Sequence, residues 1–154
     1  MRLEPLLDAG NVLVLRDCRD RDEVLRRLAE HAGGRIAGVP VEGLYESLLD
    51  RERRYPTSTP EGVAFPHAML EQIDQTMVIA ARLEPPVGFR PGEHGPIGLV
   101  FGIFGSAGRP FQHVQLLARL AMIVRTKAAR ERLCSVAEAG DLHRALIEED
   151  RAHA

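Results

Sequence analysis

Residues 61–68 read Glu-Gly-Val-Ala-Phe-Pro-His-Ala, and the rest of the chain is organised around this stretch. Gly62 allows the backbone to turn freely, and the apolar run that follows it is typical of a short strand. Pro66 lacks the backbone N–H of a central strand, so the run cannot continue as a central strand beyond it. We therefore expect the His67 imidazole to lie at the end of a buried strand, where it is held rigidly yet remains open to a partner.

Length and composition predict one globular domain. The chain has 154 residues, of which 45% are apolar and 27% are charged. This composition supports a full hydrophobic core and argues against disorder. We predict a single domain over residues 1–150 and a frayed C-terminus over residues 151–154. The net charge of −2 argues against a nucleic-acid partner, which would favour a strongly basic chain.

Cysteine usage and the N-terminal sequence favour a cytoplasmic protein. Cys18 and Cys134 are the two cysteines, and their wide separation matches neither a disulfide framework nor a paired-thiol metal site. The first five residues carry an acidic charge and a proline where a signal peptide needs an apolar core. The best apolar run, residues 97–104, is too short to cross a bilayer, so we expect no membrane insertion.

The first half of the chain predicts one strand and two helices. The apolar run 12–15 indicates a buried strand. Asp20, with Glu23 three residues later, forms a capping-box-like start for a helix that ends at the glycines 33–34. A second helix follows Pro40; it carries an apolar stripe at helical spacing and arginines in its last turn. The loop 56–60 then leads to residues 61–68.

The second half predicts two long strands and three helices. The runs 77–83 and 97–104 indicate strands, separated by turn-rich segments at 85–88 and 91–96. A third helix follows Gly108, and two more are predicted at 128–137 and 141–148. Because helices and strands are interleaved, we predict an α/β (mixed α+β) fold: a mixed sheet of four or five strands flanked by helices.

Three side chains are candidates for chemistry. The neutral imidazole of His67 can accept a phosphoryl group on a ring nitrogen. His113 opens the third helix on its inward stripe, and a neutral histidine near a helix N-terminus can donate a ring N–H to an anion. Arg51 ends the second helix, and its guanidinium matches phosphoryl oxygens. Each also has a structural interpretation: a satisfied or surface histidine, a helix-start packing residue and a solvated helix-end charge.

The spacing of these residues resembles a known family. The sequence has Arg51-Glu52, then Thr57, then Gly-Val-Ala-Phe-Pro-His over residues 62–67, and His113 before a helix rich in Leu, Ala and Arg. This pattern resembles the enzyme IIA domains of the mannitol/fructose and nitrogen class of the bacterial phosphoenolpyruvate phosphotransferase system, called PTS EIIA type-2. The resemblance covers nearly the whole chain, and the run ending in Pro-His is its most specific part.

The resemblance implies a phosphoryl carrier with the PTS EIIA type-2 sandwich fold, and in that sense a protein-histidine phosphotransferase. His67 would accept a phosphoryl group from a phosphorylated HPr-type carrier protein. It would pass the group to a IIB domain of a sugar permease, or hold it as a signal for a regulatory target such as a transporter or kinase. His113 would orient the phosphoryl group and Arg51 would offset its charge. No cofactor or metal is implied, and a chain without an attached IIB or membrane domain favours the regulatory role.

Two other interpretations stay open. Glu61 and Pro60 depart from the uncharged, flexible loop of the family, and a carboxylate close to phosphohistidine would repel it by about 1 kcal/mol at 4 Å in bulk water. The chain could therefore be a regulatory binding module that is not phosphorylated. A metal site at His67 and His113 is the third hypothesis, and it would need Glu61 or His94 as a further ligand.

Overall fold

The structure, a computed structural model, describes every residue of the chain except Pro91, Glu93 and Ala154. Two short 3-10 turns, Glu4–Leu6 and Ala9–Asn11, precede the main elements. These elements follow one another in the order β1 (Val12–Arg16), α1 (Arg21–Gly33), α2 (Val41–Arg54), β2 (Val63–Ala64), β3 (His67–Leu70), β4 (Met77–Val87), β5 (Ile97–Ser106), α3 (Pro110–Ile123), α4 (Lys127–Ser135) and α5 (Ala139–Ala152).

The strands form one five-stranded mixed sheet, which confirms the predicted fold class. The strand order is β1-β4-β5-β2, and β3 also pairs with β5. β4 is antiparallel to β5, and the other pairings are parallel. The nearly all-apolar run predicted to be a central strand is β5, which pairs with β4 on one side and with β2 and β3 on the other.

Both faces of the sheet are covered by helices, so alternate residues of β5 enter two separate cores. Phe104 lies in the core beneath α1 and α2, and Phe101 lies in the core beneath α3, α4 and α5. Both side chains are fully buried, and each such burial stabilises the fold by about 1.5–3 kcal/mol. Within the described part of the chain, no helix is both long enough and apolar enough to span a bilayer.

The predicted helix starts are present. The Asp20 carboxylate accepts a hydrogen bond from the backbone N–H of Glu23 at 2.8 Å, which caps α1. α2 begins directly after Pro40, whose missing N–H costs nothing at a helix start. Pro110 is itself the first residue of α3, the helical position at which proline is favoured.

β2 and β3 form an interrupted edge strand that carries the motif. Ala64 pairs with Val100 and His67 pairs with Ile103, so the register on β5 is the same on both sides of the interruption. Gly62 begins this segment with φ of 84°, a conformation that favours glycine. We expected His67 to end a buried strand, but it is the first residue of β3. Pro66 interrupts the pairing without ending it, because its carbonyl still accepts the Ile103 N–H at 2.9 Å.

One further expectation differs from the structure. β4 continues through residues 85–87 instead of turning there, because its pairing with β5 shifts register after Arg82 and resumes between Val87 and Ile97. Such an irregularity accommodates prolines that cannot donate to the sheet. Of the second turn-rich segment, Pro91 and Glu93 lie outside the described residues.

We predicted a frayed C-terminus over residues 151–154, and in the structure α5 extends to Ala152. The end of α5 is held by Asp150, a fully buried residue whose carboxylate accepts hydrogen bonds from the backbone N–H groups of Leu3 and Glu4. Arg119 donates to the Asp150 carboxylate and to the carbonyl of His153. These contacts join residues far apart in sequence, so local composition could not predict them. Ala154 lies outside the described residues.

Candidate functional site

The candidate site is an open cavity of about 560 Å³ at the β2–β3 edge of the sheet, between α2 and α3. His67 contributes to it from the first position of β3, and His113 from the first turn of α3. Arg51 contributes from the last turn of α2. The structure therefore brings together all three predicted residues, which come from three different elements.

The two imidazoles lie against each other. The ring centroids of His67 and His113 are 5.0 Å apart, and the ring planes are inclined by 53°. His67 is partly exposed, whereas His113 is buried. An incoming group can therefore reach His67 from solvent and contact His113 behind it.

A backbone carbonyl fixes the His67 ring. The Nδ1 atom of His67 lies 2.8 Å from the carbonyl oxygen of Phe65, two residues earlier. Because a carbonyl oxygen can only accept, Nδ1 carries the proton and donates it. The lone pair of the neutral ring is then on Nε2.

The His113 ring carries its proton on the other ring nitrogen. Its Nδ1 atom is enclosed and has no hydrogen-bond partner among the residues that the structure describes. A buried N–H without an acceptor is costly, so we assign the proton to Nε2. Gly105 makes room for this ring, since a Cβ atom at that position would lie 2.8 Å from His113 Nδ1 and 2.5 Å from Met69 Sδ.

Both histidines are held neutral. Burial lowers the pKa of His67, and the nearby Arg51 charge acts in the same direction; the hydrogen bond to Phe65 and the Glu52 carboxylate oppose this shift. Burial also lowers the pKa of His113, assisted by His67 and Arg51. At neutral pH the pair therefore offers one free lone pair and one N–H donor.

The Arg51 side chain is oriented by the residue that ends its helix. Its Nη1 donates to the carbonyl of Tyr55 at 2.5 Å, and its guanidinium carbon lies 5.7 Å from the centre of the Tyr55 ring. Arg51 is the charged group that affects the pKa of both imidazoles, so its positive charge acts on the cavity. This placement can offset negative charge on a group bound to His67.

A buried carboxylate positions the loop that leads to His67. Glu52 is 1% exposed, and its carboxylate accepts hydrogen bonds from the backbone N–H and the hydroxyl of Thr57, both at 2.6 Å. The carbonyl of Thr57 in turn accepts the N–H of Phe65, whose own carbonyl orients His67. The sequence contained Glu52 and Thr57 as parts of a motif, but this structural connection requires the tertiary structure.

Glu61 lies away from the candidate site. It lines a separate cavity with Phe65 and Arg125 and does not line the cavity of His67. Its charge is also absent from the influences that shift the pKa of His67. Within the described residues, no group of three or more His, Cys, Asp and Glu side chains is arranged to hold a metal ion.

Exposed apolar side chains surround the opening, and sequence reasoning did not identify them. Met69 is 43% exposed and Val114 is 60% exposed, and both line the cavity. Phe111, one helical turn before Val114 on α3, is 82% exposed. The sequence signal was available, because Phe111 and Val114 lie on the face of α3 opposite its buried stripe.

The outer face of α3 is also uncharged. The only charged residue of this helix is Arg119, which is buried against Asp150. The exposed side chains of Met69, Phe111 and Val114, together with the uncharged outer face of α3, form a surface suited to contact with another protein.

Comparison with known proteins identifies the family. The sequence model described as "Phosphoenolpyruvate-dependent sugar phosphotransferase system, EIIA 2" matches residues 5–149, nearly the whole chain. The chain belongs to this EIIA 2 family. Its predicted resemblance to PTS EIIA type-2 domains is thereby confirmed.

Individual relatives of this EIIA 2 protein agree with that assignment. The nitrogen regulatory protein of Bradyrhizobium diazoefficiens is 28% identical over 133 residues, which cover 86% of each chain. The crystal structure of the nitrogen regulatory protein IIA-Ntr from Neisseria meningitidis has the same fold, with a TM-score of 0.84 at 23% identity; the match covers 94% of this chain and 98% of that one.

A third match is a chain in a complex of enzyme IIA-Mtl and phosphorylated enzyme IIB-Mtl from Escherichia coli. Its TM-score is 0.75 at 25% identity, and the match covers 92% of the EIIA 2 protein and 97% of that chain. These comparisons confirm the predicted α/β sandwich with its mixed sheet.

Proposed function

We propose that this protein is a phosphoryl carrier that receives a phosphoryl group on Nε2 of His67 from a phosphorylated HPr-type protein. It then passes the group to a IIB-type domain or retains it as a regulatory signal. The observation that carries the proposal is the pair of imidazoles at 5.0 Å in a cavity open to solvent. One ring presents a lone pair and the other presents an N–H donor.

The atoms and electrons of the phosphoryl transfer balance without a cofactor. The Nε2 lone pair of His67 forms the new bond to phosphorus while the bond between phosphorus and the donor's ring nitrogen breaks. The electron pair of the broken bond returns to the donor imidazole. His67 then carries the phosphoryl group on Nε2 and its proton on Nδ1, so its ring becomes positive. The Phe65 carbonyl, 2.8 Å from Nδ1, lies where it can stabilise that charge.

The neighbouring groups act on the phosphoryl oxygens. The Nε2–H of neutral His113 would donate a hydrogen bond to one oxygen, and the Arg51 guanidinium would offset the negative charge. The fixed positions of both rings before the partner arrives reduce the entropy cost of orientation. These roles of His67, His113 and Arg51 are the ones that the family resemblance predicts.

The surroundings of His67 support a protein, rather than a small molecule, as the donor and the acceptor. Met69 and Val114 expose apolar surface at the opening, and Phe111 exposes more one helical turn from Val114. A protein that docks there would exclude water from the transfer. The similarity to a nitrogen regulatory protein along 86% of both chains supports a regulatory use of the phosphoryl group. A regulatory target such as a transporter or kinase would then recognise the phosphorylated or the free state.

The alternative of a binding module without phosphorylation depended on Glu61 and Pro60. The location of Glu61 in another cavity does not favour it, because a charge there is poorly placed to repel or mimic a phosphoryl group on His67. The same experiment distinguishes the two functions.

The test is incubation of the purified protein with a phosphorylated HPr-type carrier. We expect an acid-labile, alkali-stable phosphate that is absent from His67→Ala. His143→Ala is the matched control, since His143 is a residue of α5 whose ring approaches the Leu7 carbonyl and which lines a different cavity from His67. His113→Ala should still become labelled but should transfer the group more slowly to a IIB-type acceptor.

Two outcomes would refute the proposal. One is an unlabelled wild-type protein under conditions in which the same donor labels a control EIIA domain. The other is equal labelling of His67→Ala and wild type, which would place the phosphate elsewhere.

A further inference from the structure

A second cavity, of about 210 Å³, lies at the opposite end of α3 from His113. Ala121 and Val124 contribute to it from the end of the helix, and Val63 and Phe65 contribute from the edge strand. Ala121 is eight residues beyond His113, which corresponds to about 12 Å along a helix axis. This cavity is therefore separate from the candidate phosphoryl-transfer site.

Two side chains of opposite charge line this cavity without a hydrogen-bond or ion-pair partner among the described residues. Glu61 and Arg125 are both exposed, and neither side chain makes a hydrogen bond or ion pair with any residue that the structure describes. Arg130 differs, because its Nη1 donates to the carbonyls of Val124 and Arg125 at 2.9 and 2.8 Å. The cavity thus offers one free carboxylate and one free guanidinium above an apolar floor.

We propose that this second cavity binds a free α-amino acid with an uncharged aliphatic side chain. Its ammonium group would pair with Glu61, and its carboxylate would accept hydrogen bonds from the Arg125 guanidinium. The aliphatic side chain would lie on Val63, Phe65 and Val124.

The size of the cavity agrees with this class of ligand. Its volume of about 210 Å³ is below the roughly 300–1,000 Å³ of pockets for drug-sized ligands, which suits a small molecule such as leucine. A nucleotide would be too large.

The cavity is connected to His67 through one residue. The Phe65 side chain lines the cavity, and the Phe65 carbonyl accepts the Nδ1–H of His67 at 2.8 Å. A ligand that contacts the Phe65 ring therefore affects the residue whose carbonyl fixes the His67 tautomer. We expect binding to shift the ring resonances of His67.

The test is a titration of the ¹⁵N-labelled, unphosphorylated protein with L-leucine, followed by ¹H–¹⁵N NMR. We expect saturable shifts at the amides of Val63, Phe65 and Arg125. Glu61→Gln and Arg125→Gln should each weaken binding by at least about tenfold, the loss expected for a charged hydrogen bond. Glu46→Gln and Arg2→Gln are matched controls, since both residues are exposed and line neither this cavity nor that of His67.

Two leucine analogues test the zwitterion directly. 4-Methylpentanoate lacks the ammonium group and 3-methylbutylamine lacks the carboxylate, so each should bind at least about tenfold more weakly than leucine. Absence of saturable shifts with leucine up to about 10 mM, where a millimolar site would be filled, would overturn the proposal. Equal binding of leucine and the two analogues would also overturn it. The assay needs no phosphoryl donor, so its failure is distinct from failure of the proposed carrier function.

Discussion

The buried ion pair between Arg119 and Asp150 allows a quantitative prediction about stability. Asp150 is fully buried and accepts three hydrogen bonds, from Leu3 N and Glu4 N at 2.9 Å and from Arg119 Nε at 2.7 Å. It joins the N-terminal segment, α3 and α5. In Asp150→Asn, the new NH₂ group must face one of these donors, and the Arg119 guanidinium keeps a buried charge without its counter-ion.

We expect Asp150→Asn to lower the free energy of unfolding by about 3–5 kcal/mol at pH 7, the usual loss when one partner of a buried ion pair is removed. The measurement is urea unfolding followed by far-UV circular dichroism, with linear extrapolation to zero urea. Glu4→Gln is the matched control on the same segment. It removes only the exposed ion pair between Glu4 and Arg151, so its cost should be much smaller than that of Asp150→Asn.

The pH dependence of this stability has a defined sign. Burial acts to raise the pKa of Asp150, but the N–H groups of Leu3 and Glu4 and the Arg119 side chain outweigh it and hold the pKa below its usual value. The stabilisation is therefore fully present above the usual aspartate pKa of about 4 and is lost as the pH falls through the lower folded value. The reasoning would be refuted if Asp150→Asn and Glu4→Gln had equal unfolding free energies at pH 7.

Three further predictions concern the site. Gly105→Ala should displace His113, destabilise the protein by about 1–3 kcal/mol and slow phosphoryl transfer. Gly140→Ala is the control and should have none of these effects, because a Cβ atom there meets no atom within 4 Å. Thermal unfolding and transfer assays check both variants. Glu52→Gln should release the loop before β2 and lower the free energy of unfolding by about 1.5–3 kcal/mol, because one hydrogen bond to a charged group is lost. A loss of stability no larger than that of an exposed Glu→Gln change would contradict this prediction. In an NMR titration His67 should have its midpoint below about 6.5, so its Nε2 stays unprotonated at more acidic pH than in an ordinary histidine; a midpoint above that value would contradict the burial argument.

Much of the fold could be predicted because its signals are local. The apolar spacing of α2, the Asp20 cap of α1 and the continuous apolar run of β5 each appear within a few residues of sequence. The errors arose where pairing overrode local composition. The prolines at 85 and 86 indicate a turn, yet the register shift against β5 lets β4 include them.

The candidate site was predictable in its residues but not in its geometry. His67, Arg51 and His113 were found from their chemistry and from the family resemblance, and the structure places them in one cavity. The apparent conflict with Glu61 could not be resolved from sequence, because six residues of separation from His67 do not say which cavity a side chain enters. The partners of Asp150 could not be predicted either, since Leu3 and Arg119 are distant along the chain.

The sequence by itself determined the mixed α/β class, the positions of the helices and the identity of the candidate residues, because periodicity, capping and motif spacing are local properties. Only the tertiary structure decided how those residues act together. It turns the Phe65 carbonyl toward His67 Nδ1, leaves His113 Nδ1 enclosed above Gly105 and directs Glu61 to a different cavity. The partner of a hydrogen bond and the cavity that a side chain lines both depend on where separate strands and helices pack. That packing is a property of the whole fold.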